Sequence, residues 1–423
     1  MLPSQRSLSA WPWVAVFAAV SYLAVSTVDL KIGPFPFKAL LTAGALGAWA
    51  LDWRRRGAPP APYTPHVLWI GLGVPLTWLA VAALRSHAHD PAQAHGLASA
   101  FEEASHFGYV LLYFPLIDWY RRPRDQSADR IWLWPAYVLC AVTWMLYLGH
   151  VAGVDYGPSG AVGPLRGTIG VDTRVDTTGN FRAFLINDVL LIPAGVIILA
   201  RVRAGGLRPP LAGAIVFVMG AAYFAHSRGI WLGIALAAAA LLAGGSERIR
   251  SLPAPIQVVA LCLVLFAFVV NAAPQVARPV ANAVTGGTRE ISSSSRLTQG
   301  PHLISGAKRH LFLGSGLGAT LPSGYTRSTT APWSFELAWL QLIFQTGVVG
   351  LVSMLGVLTL VLRAAWRTLP GSSGPQTTWR LTGFAGLLGF VFTCGSNPYL
   401  VTSVGALTLA IMLTLCGTVS LRE

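Results

Sequence analysis

Long apolar runs, separated by short polar segments rich in arginine, make up most of the chain. A helix needs about 20 mostly apolar residues to cross a hydrocarbon core. Runs of roughly that length lie at 10–27, 35–51, 66–84, 97–118, 131–150, 183–200, 210–225, 229–244 and 255–274, and again at 335–362, 381–395 and 398–420. The pattern predicts an all-α polytopic membrane protein, with twelve transmembrane helices forming a single integral membrane domain over 1–423. The runs at 210–225, 229–244 and 381–395 are short. The run from 335 is too long for one span, which predicts a short helix that enters from the loop and breaks near Gly347. The first run has the look of a secretory leader, but it is long, and removing it would spoil the charge alternation that follows, so it is read as a span.

Charge orients these spans. With the N-terminus inside, the inward segments carry Arg6; Arg54, Arg55 and Arg56; Arg121, Arg122, Arg124 and Arg130; Arg201, Arg203 and Arg208; Arg248 and Arg250; Arg363, Arg367 and Arg380; and Arg422. Every inward segment has at least one, as the positive-inside rule requires, and both termini are expected in the cytoplasm. Two outward loops are large, 151–182 and 275–334, the second between the ninth and tenth spans. They hold most of the remaining basic residues: Arg166, Arg174 and Arg182 in the first, and Arg278, Arg289, Arg296, Lys308, Arg309 and Arg327 in the second. Arg228 lies in a tight outward turn.

Composition agrees with this picture. Of 423 residues, 54% are hydrophobic and 11% charged, and mean hydropathy is +0.58. A soluble domain carries about 25% charged residues, so a soluble enzyme, a disordered chain and a conventional nucleic-acid binder are excluded. The net charge of +14 is therefore not a nucleic-acid footprint. Guanidinium groups grip phosphate oxygens bidentately, so an arginine-rich outward surface suits a phosphate-bearing or acidic substrate, although individual arginines could equally meet lipid headgroups. Cys140, Cys262, Cys394 and Cys416 all sit in apolar runs and read as small core residues. A transporter of lipid-linked oligosaccharide is an alternative class, but transporters commonly show internal repeats, and no such similarity is visible. No nucleotide loop is present either, so any energy for synthesis must arrive in the substrate itself.

The segment His226-Ser227-Arg228-Gly229-Ile230-Trp231-Leu232 resembles the Ser-Arg-Gly-x-Trp-Leu signature of the O-antigen ligase and O-antigen polymerase superfamily. Arg296 opens a stretch ending His310-Leu311-Phe312-Leu313-Gly314-Ser315-Gly316-Leu317-Gly318, which is similar to that family's arginine followed by a hydrophobic-Gly-x-Gly-x-Gly pattern. Glu336-Leu337-Ala338-Trp339-Leu340-Gln341 and Phe344-Gln345-Thr346-Gly347-Val348-Val349-Gly350 resemble the entrance to its tenth span. The resemblance covers about 226–365 by motif.

It implies a GT-C-like, metal-independent glycosyltransferase with no cofactor, in a bacterial inner membrane. Such an enzyme takes a glycan from undecaprenyl diphosphate and passes it to an acceptor hydroxyl at the periplasmic face. The family's diphosphate-binding arginines correspond to Arg228 and Arg296, with Arg289, Lys308 and Arg309 each able to fill the role of Arg296. Ligases carry a histidine before the tenth span where this chain has Glu336. That departure favours a polymerase, which joins lipid-linked repeats and could work with a chain-length regulator, over a ligase transferring glycan to lipid A-core.

Glu336, where the outward loop re-enters the membrane, is the candidate general base, because a carboxylate of raised pKa can take the acceptor's proton. A helix-capping acid or a salt-bridge partner is the plainer reading. Arg228 is the candidate stabiliser of charge on the departing diphosphate. Glu102 and His106 share a helix face and are candidates for the acceptor path, as is Asp188; an interhelical polar contact is the alternative for each. Glu103, facing elsewhere, reads as interfacial. Asp29 resembles the acid of metal-dependent membrane glycosyltransferases but has no second acid beside it, and His302 and His310 lack metal-ligand spacing. No metal site is expected. The glycines 314, 316 and 318 are expected to permit tight turns.

Overall fold

A computed structural model describes residues 11–26, 31–32, 35–55, 78, 80–82, 84, 96–120, 129–156, 171–175, 181–225, 227–244, 291–326, 332–367, 375–395 and 397–416. These residues are mostly helical. In chain order they form α1 (Trp11–Val25), α2 (Phe37–Arg55), α3 (Gly96–Gly108), α4 (Tyr113–Tyr120), α5 (Asp129–Val151), α6 (Leu191–Gly205), α7 (Pro209–Phe224) and α8 (Arg228–Ala243). Then come α9 (Ile291–Arg309), α10 (Ala338–Arg367), α11 (Pro375–Thr393) and α12 (Ser403–Cys416). The runs at 66–84 and 255–274 lie largely or wholly outside the described residues.

By length and apolarity alone, Leu133–Val151 and Ala338–Arg363 can cross a membrane, and Pro12–Ala24, Pro209–Phe224, Gly229–Ala243 and Ser403–Cys416 are shorter apolar helices. Large apolar side chains such as Met145, Leu148, Val216, Val352 and Leu360 are exposed on helix surfaces, as they are where lipid rather than water is the solvent. Every residue of α12 is buried. It is the central post, with α1, α4 and α11 packed around it. An all-round apolar helix has no polar stripe to turn outward, so burial on every side is its stable placement.

Three features depart from the sequence expectation. The run 97–118 is interrupted by a 3-10 turn at Tyr109–Leu112. The run 183–200 opens as a β-strand and a 3-10 turn and becomes α-helical only at Leu191. Two small antiparallel hairpins also appear, β1 (Lys31–Ile32) with β2 (Phe35–Pro36), and β3 (Val171–Val175) with β4 (Phe181–Leu185). The second hairpin places Arg174 directly across from Arg182. Phe181, Ala183 and Leu185 alternate with Arg182 and Phe184 along β4 and bury one face of the strand, a period that a search for long apolar runs overlooks.

The expected break at Gly347 is present. Gly347 has φ 71° inside an otherwise helical α10, a conformation that glycine reaches without steric cost.

Candidate functional site

The site is assembled around the break in α10. Interrupting a helix strands backbone groups on both sides, and here five of them meet partners from elsewhere in the chain. The Ser315 N–H donates to the Phe344 carbonyl (2.8 Å) and the Gly316 N–H to that of Gln345 (2.9 Å). The Trp78 indole donates to the Thr346 carbonyl (2.8 Å). On the other side, the Val348 and Val349 N–H groups donate to the carbonyls of Leu311 (2.8 Å) and Phe312 (3.2 Å). The glycine-rich loop thus splints the broken helix. Gly314, Gly316 and Gly318 all have positive φ, which accounts for the alternation of glycine in the motif. A Cβ at Gly314 would collide with the backbone of Gln345 and Gly347, and one at Gly347 with that of Phe312 and Gly314.

Glu103 is the polar centre of this assembly. It is 3% exposed, and its carboxylate accepts from the Gly318 N–H (2.6 Å), Gln341 Nε2 (2.7 Å) and Gln345 Nε2 (3.0 Å). Gln341 and Gln345 lie four apart on one face of α10, as a helix requires for both to reach the same carboxylate. Both amides also approach the Trp333 carbonyl (3.3 Å each). The interfacial placement expected for Glu103 is therefore corrected: it turns inward, with half-buried His106 one turn away exerting an electrostatic pull on it. Glu102 is on the same helix, but its side chain lies outside the described residues.

Glu336 sits just before α10, half-buried, with its backbone held from two sides. Gln341 Oε1 accepts from the Phe335 N–H (3.1 Å). Gln299 Oε1 accepts from the N–H groups of Glu336 (2.9 Å) and Leu337 (3.2 Å). Gln299 belongs to α9 and is fully buried, its Nε2 without a hydrogen-bond partner; Gln345 Oε1 is likewise unpartnered. Sequence reading passed over Gln299. Its one available signal is that it stands three residues after Arg296, on the same side of α9.

Arg296 therefore shares an end of α9 with the residue that holds Glu336. Arg309 is thirteen residues further on, about 20 Å away at 1.5 Å per residue, and exposed. Arg309 thus stands at the opposite end of α9 from Arg296. The side chains of Arg228 and Arg296, and the whole of Arg289, lie outside the described residues.

The Ser-Arg-Gly turn is nonetheless well positioned through its backbone. Arg228 is the first residue of α8, after Ser227. Thr393 Oγ1 donates to the Gly229 carbonyl (2.8 Å), and Arg182 Nε donates to the Ala225 carbonyl (3.3 Å). The buried Tyr399 hydroxyl approaches Ser227 without closing a well-aligned hydrogen bond. Asp188 is 0% exposed. Its Oδ2 accepts from the Leu185 N–H (2.8 Å), capping the turn where β4 becomes α6, and Arg182 faces it electrostatically. In this structure the carboxyl serves as a cap on that turn, with Oδ1 buried and without a hydrogen-bond partner. Among the described residues, no group of three His, Cys, Asp or Glu side chains could hold a metal ion.

Together these helices and this splinted break define a helical membrane protein with its polar site beside an interrupted helix. Residues 213–355 match the family model described as O-antigen ligase. That segment holds the Ser-Arg-Gly turn, the glycine run, Glu336 and the break, and its match supports a relation to the superfamily of O-antigen ligases and polymerases, whose members are bacterial membrane proteins. No curated protein matches the chain at a significant level.

Proposed function

We propose that the chain is a periplasmic-face polymerase of lipid-linked oligosaccharide repeats in the bacterial inner membrane, with twelve spans and both termini cytoplasmic. The acceptor is the terminal sugar hydroxyl of one lipid-linked repeat, and the donor is a glycan on undecaprenyl diphosphate. As that hydroxyl attacks the donor's anomeric carbon, Glu336 takes its proton. The bond from the anomeric carbon to the diphosphate oxygen breaks, and its electron pair leaves with the polyprenyl diphosphate. Arg228 and Arg296 offset the charge that develops there. Glu102 and His106 are proposed along the acceptor's approach, and a chain-length regulator is a proposed partner. No step requires a metal ion.

The observation that carries this reading is the Gln299 bridge, which ties the helix bearing Arg296 to the backbone of Glu336. A proton acceptor and a diphosphate-binding cation on opposite sides of one reacting bond need such a common support. The reading is tested with purified protein and a purified lipid-linked repeat. A ladder of products on polyprenyl diphosphate is expected; no bond formation would overturn it and favour a transporter. The description of the matching family as O-antigen ligase favours a second reading, transfer to lipid A-core, and adding that acceptor to the same assay separates the two.

A further inference from the structure

We infer that the tip of the large outward loop, residues 308–313, dips into the bilayer and is a lipid-contacting surface. Leu311, Phe312 and Leu313 are 44%, 72% and 43% exposed, three consecutive apolar side chains that all reach the surface. In an aqueous loop such a cluster is unfavourable, since burying a side chain of this kind is worth about 1.5–3 kcal/mol. The same tip is tied to the break in α10 by the bonds from Val348 and Val349, so its depth follows from that helix.

Arg363, the last residue of the apolar stretch of α10, marks one membrane interface. From Arg363 to Gly347 is sixteen residues, about 24 Å of helix, against a hydrocarbon core of about 30 Å. The break therefore lies about 6 Å inside the far interface, deeper if the helix tilts, and the tip lies there with it. Non-helical backbone survives at that depth only where protein satisfies its polar groups. Here the carbonyls of Leu311 and Phe312 accept from α10, and the Gly314 N–H donates to the His310 carbonyl (2.7 Å).

Two further observations identify the occupant as lipid rather than another protein. The exposed apolar residues Val349, Val352 and Leu355 continue the patch down the face of α10, a surface that belongs to the hydrocarbon of any chain crossing the membrane. Lys308 and Arg309, both exposed, precede the apolar residues and are long enough to snorkel back to the phosphates of the headgroups. Arg309, at the far end of α9 from Arg296, acquires a role as an interfacial anchor.

This inference rests on the proposed spanning of the membrane and not on the reaction, so the two can fail separately. The test uses the full-length protein in proteoliposomes, with Cys140, Cys262, Cys394 and Cys416 replaced and a nitroxide placed at Phe312→Cys. Collisions with oxygen, which concentrates in lipid, should exceed those with a water-soluble nickel complex, as at Val352→Cys, with the opposite balance at Ser323→Cys. A water-like balance at position 312, or a label shielded from both reagents as under a partner protein or a second copy, overturns the inference. Wild-type protein provides a second measurement that requires no substitution. A lipid-soluble diazirine should label the peptide containing Leu311–Leu313, and absence of that label overturns the inference even if the cysteine variants fail to fold.

Discussion

At the residue scale, a single buried carboxylate organises the site. Glu103 accepts three hydrogen bonds, and two of the donors, Gln341 and Gln345, have only the more distant Trp333 carbonyl besides. Leaving a buried polar group unsatisfied costs about 1–3 kcal/mol, so Glu103→Leu should lower the thermal midpoint of the purified protein sharply. Glu103→Gln keeps one accepting oxygen and should fall in between. Glu336 is a different case, because the bond to Gln299 that holds it runs through its backbone and leaves the carboxyl out. Glu336→Gln should retain donor binding and lose about 10²–10⁴-fold in turnover, the usual contribution of a general base. Normal turnover in that variant would place the base elsewhere. Arg228→Ala should lose about 10²–10³-fold, the scale of one preorganised electrostatic contact, while the protein still inserts and folds; full polymer from that variant would remove Arg228 from the site.

At the element scale, helix placement depends on glycine contacts. In α8 and α11, Gly233 and Gly389 meet backbone to backbone, and a Cβ on either would strike the other's carbonyl. Small residues at such a crossing allow the close approach that packs membrane helices. Gly389→Leu should push α11 off α8 and strain the Thr393 bond that holds Gly229. Lost activity should then accompany a lower midpoint, whereas Arg228→Ala should lose activity alone. The break in α10 was legible beforehand, because a run from 335 to 362 exceeds one span and contains a glycine at a plausible depth. The splint that completes the break was not legible. Apolar periodicity says nothing about which distant loop will supply donors to stranded carbonyls.

At the scale of the whole molecule, the exposed apolar helix faces and the fully buried α12 agree with a chain that takes lipid as its solvent. Proposed topology is a matter of charge placement and is tested by cysteine accessibility from outside intact cells. Cysteines replacing Arg121 and Arg367 should be protected and one replacing Ser323 should react. Reaction at Arg121 or Arg367 would reverse the orientation.

The sequence by itself determined the solvent, the helical class, the break at Gly347 and the motif family, because each depends on composition or on residues close together in the chain. Only the tertiary structure decided which acids are structural and which residues hold the site. Helical phase put Glu102 with His106, but Glu103 found Gly318 at a separation of 215 residues. Asp188 became a cap, and Gln299 joined α9 to Glu336 across 37 residues. A hydrogen bond depends on where two segments come to rest against each other, and that is settled by the packing of the whole chain rather than by the period of any one segment.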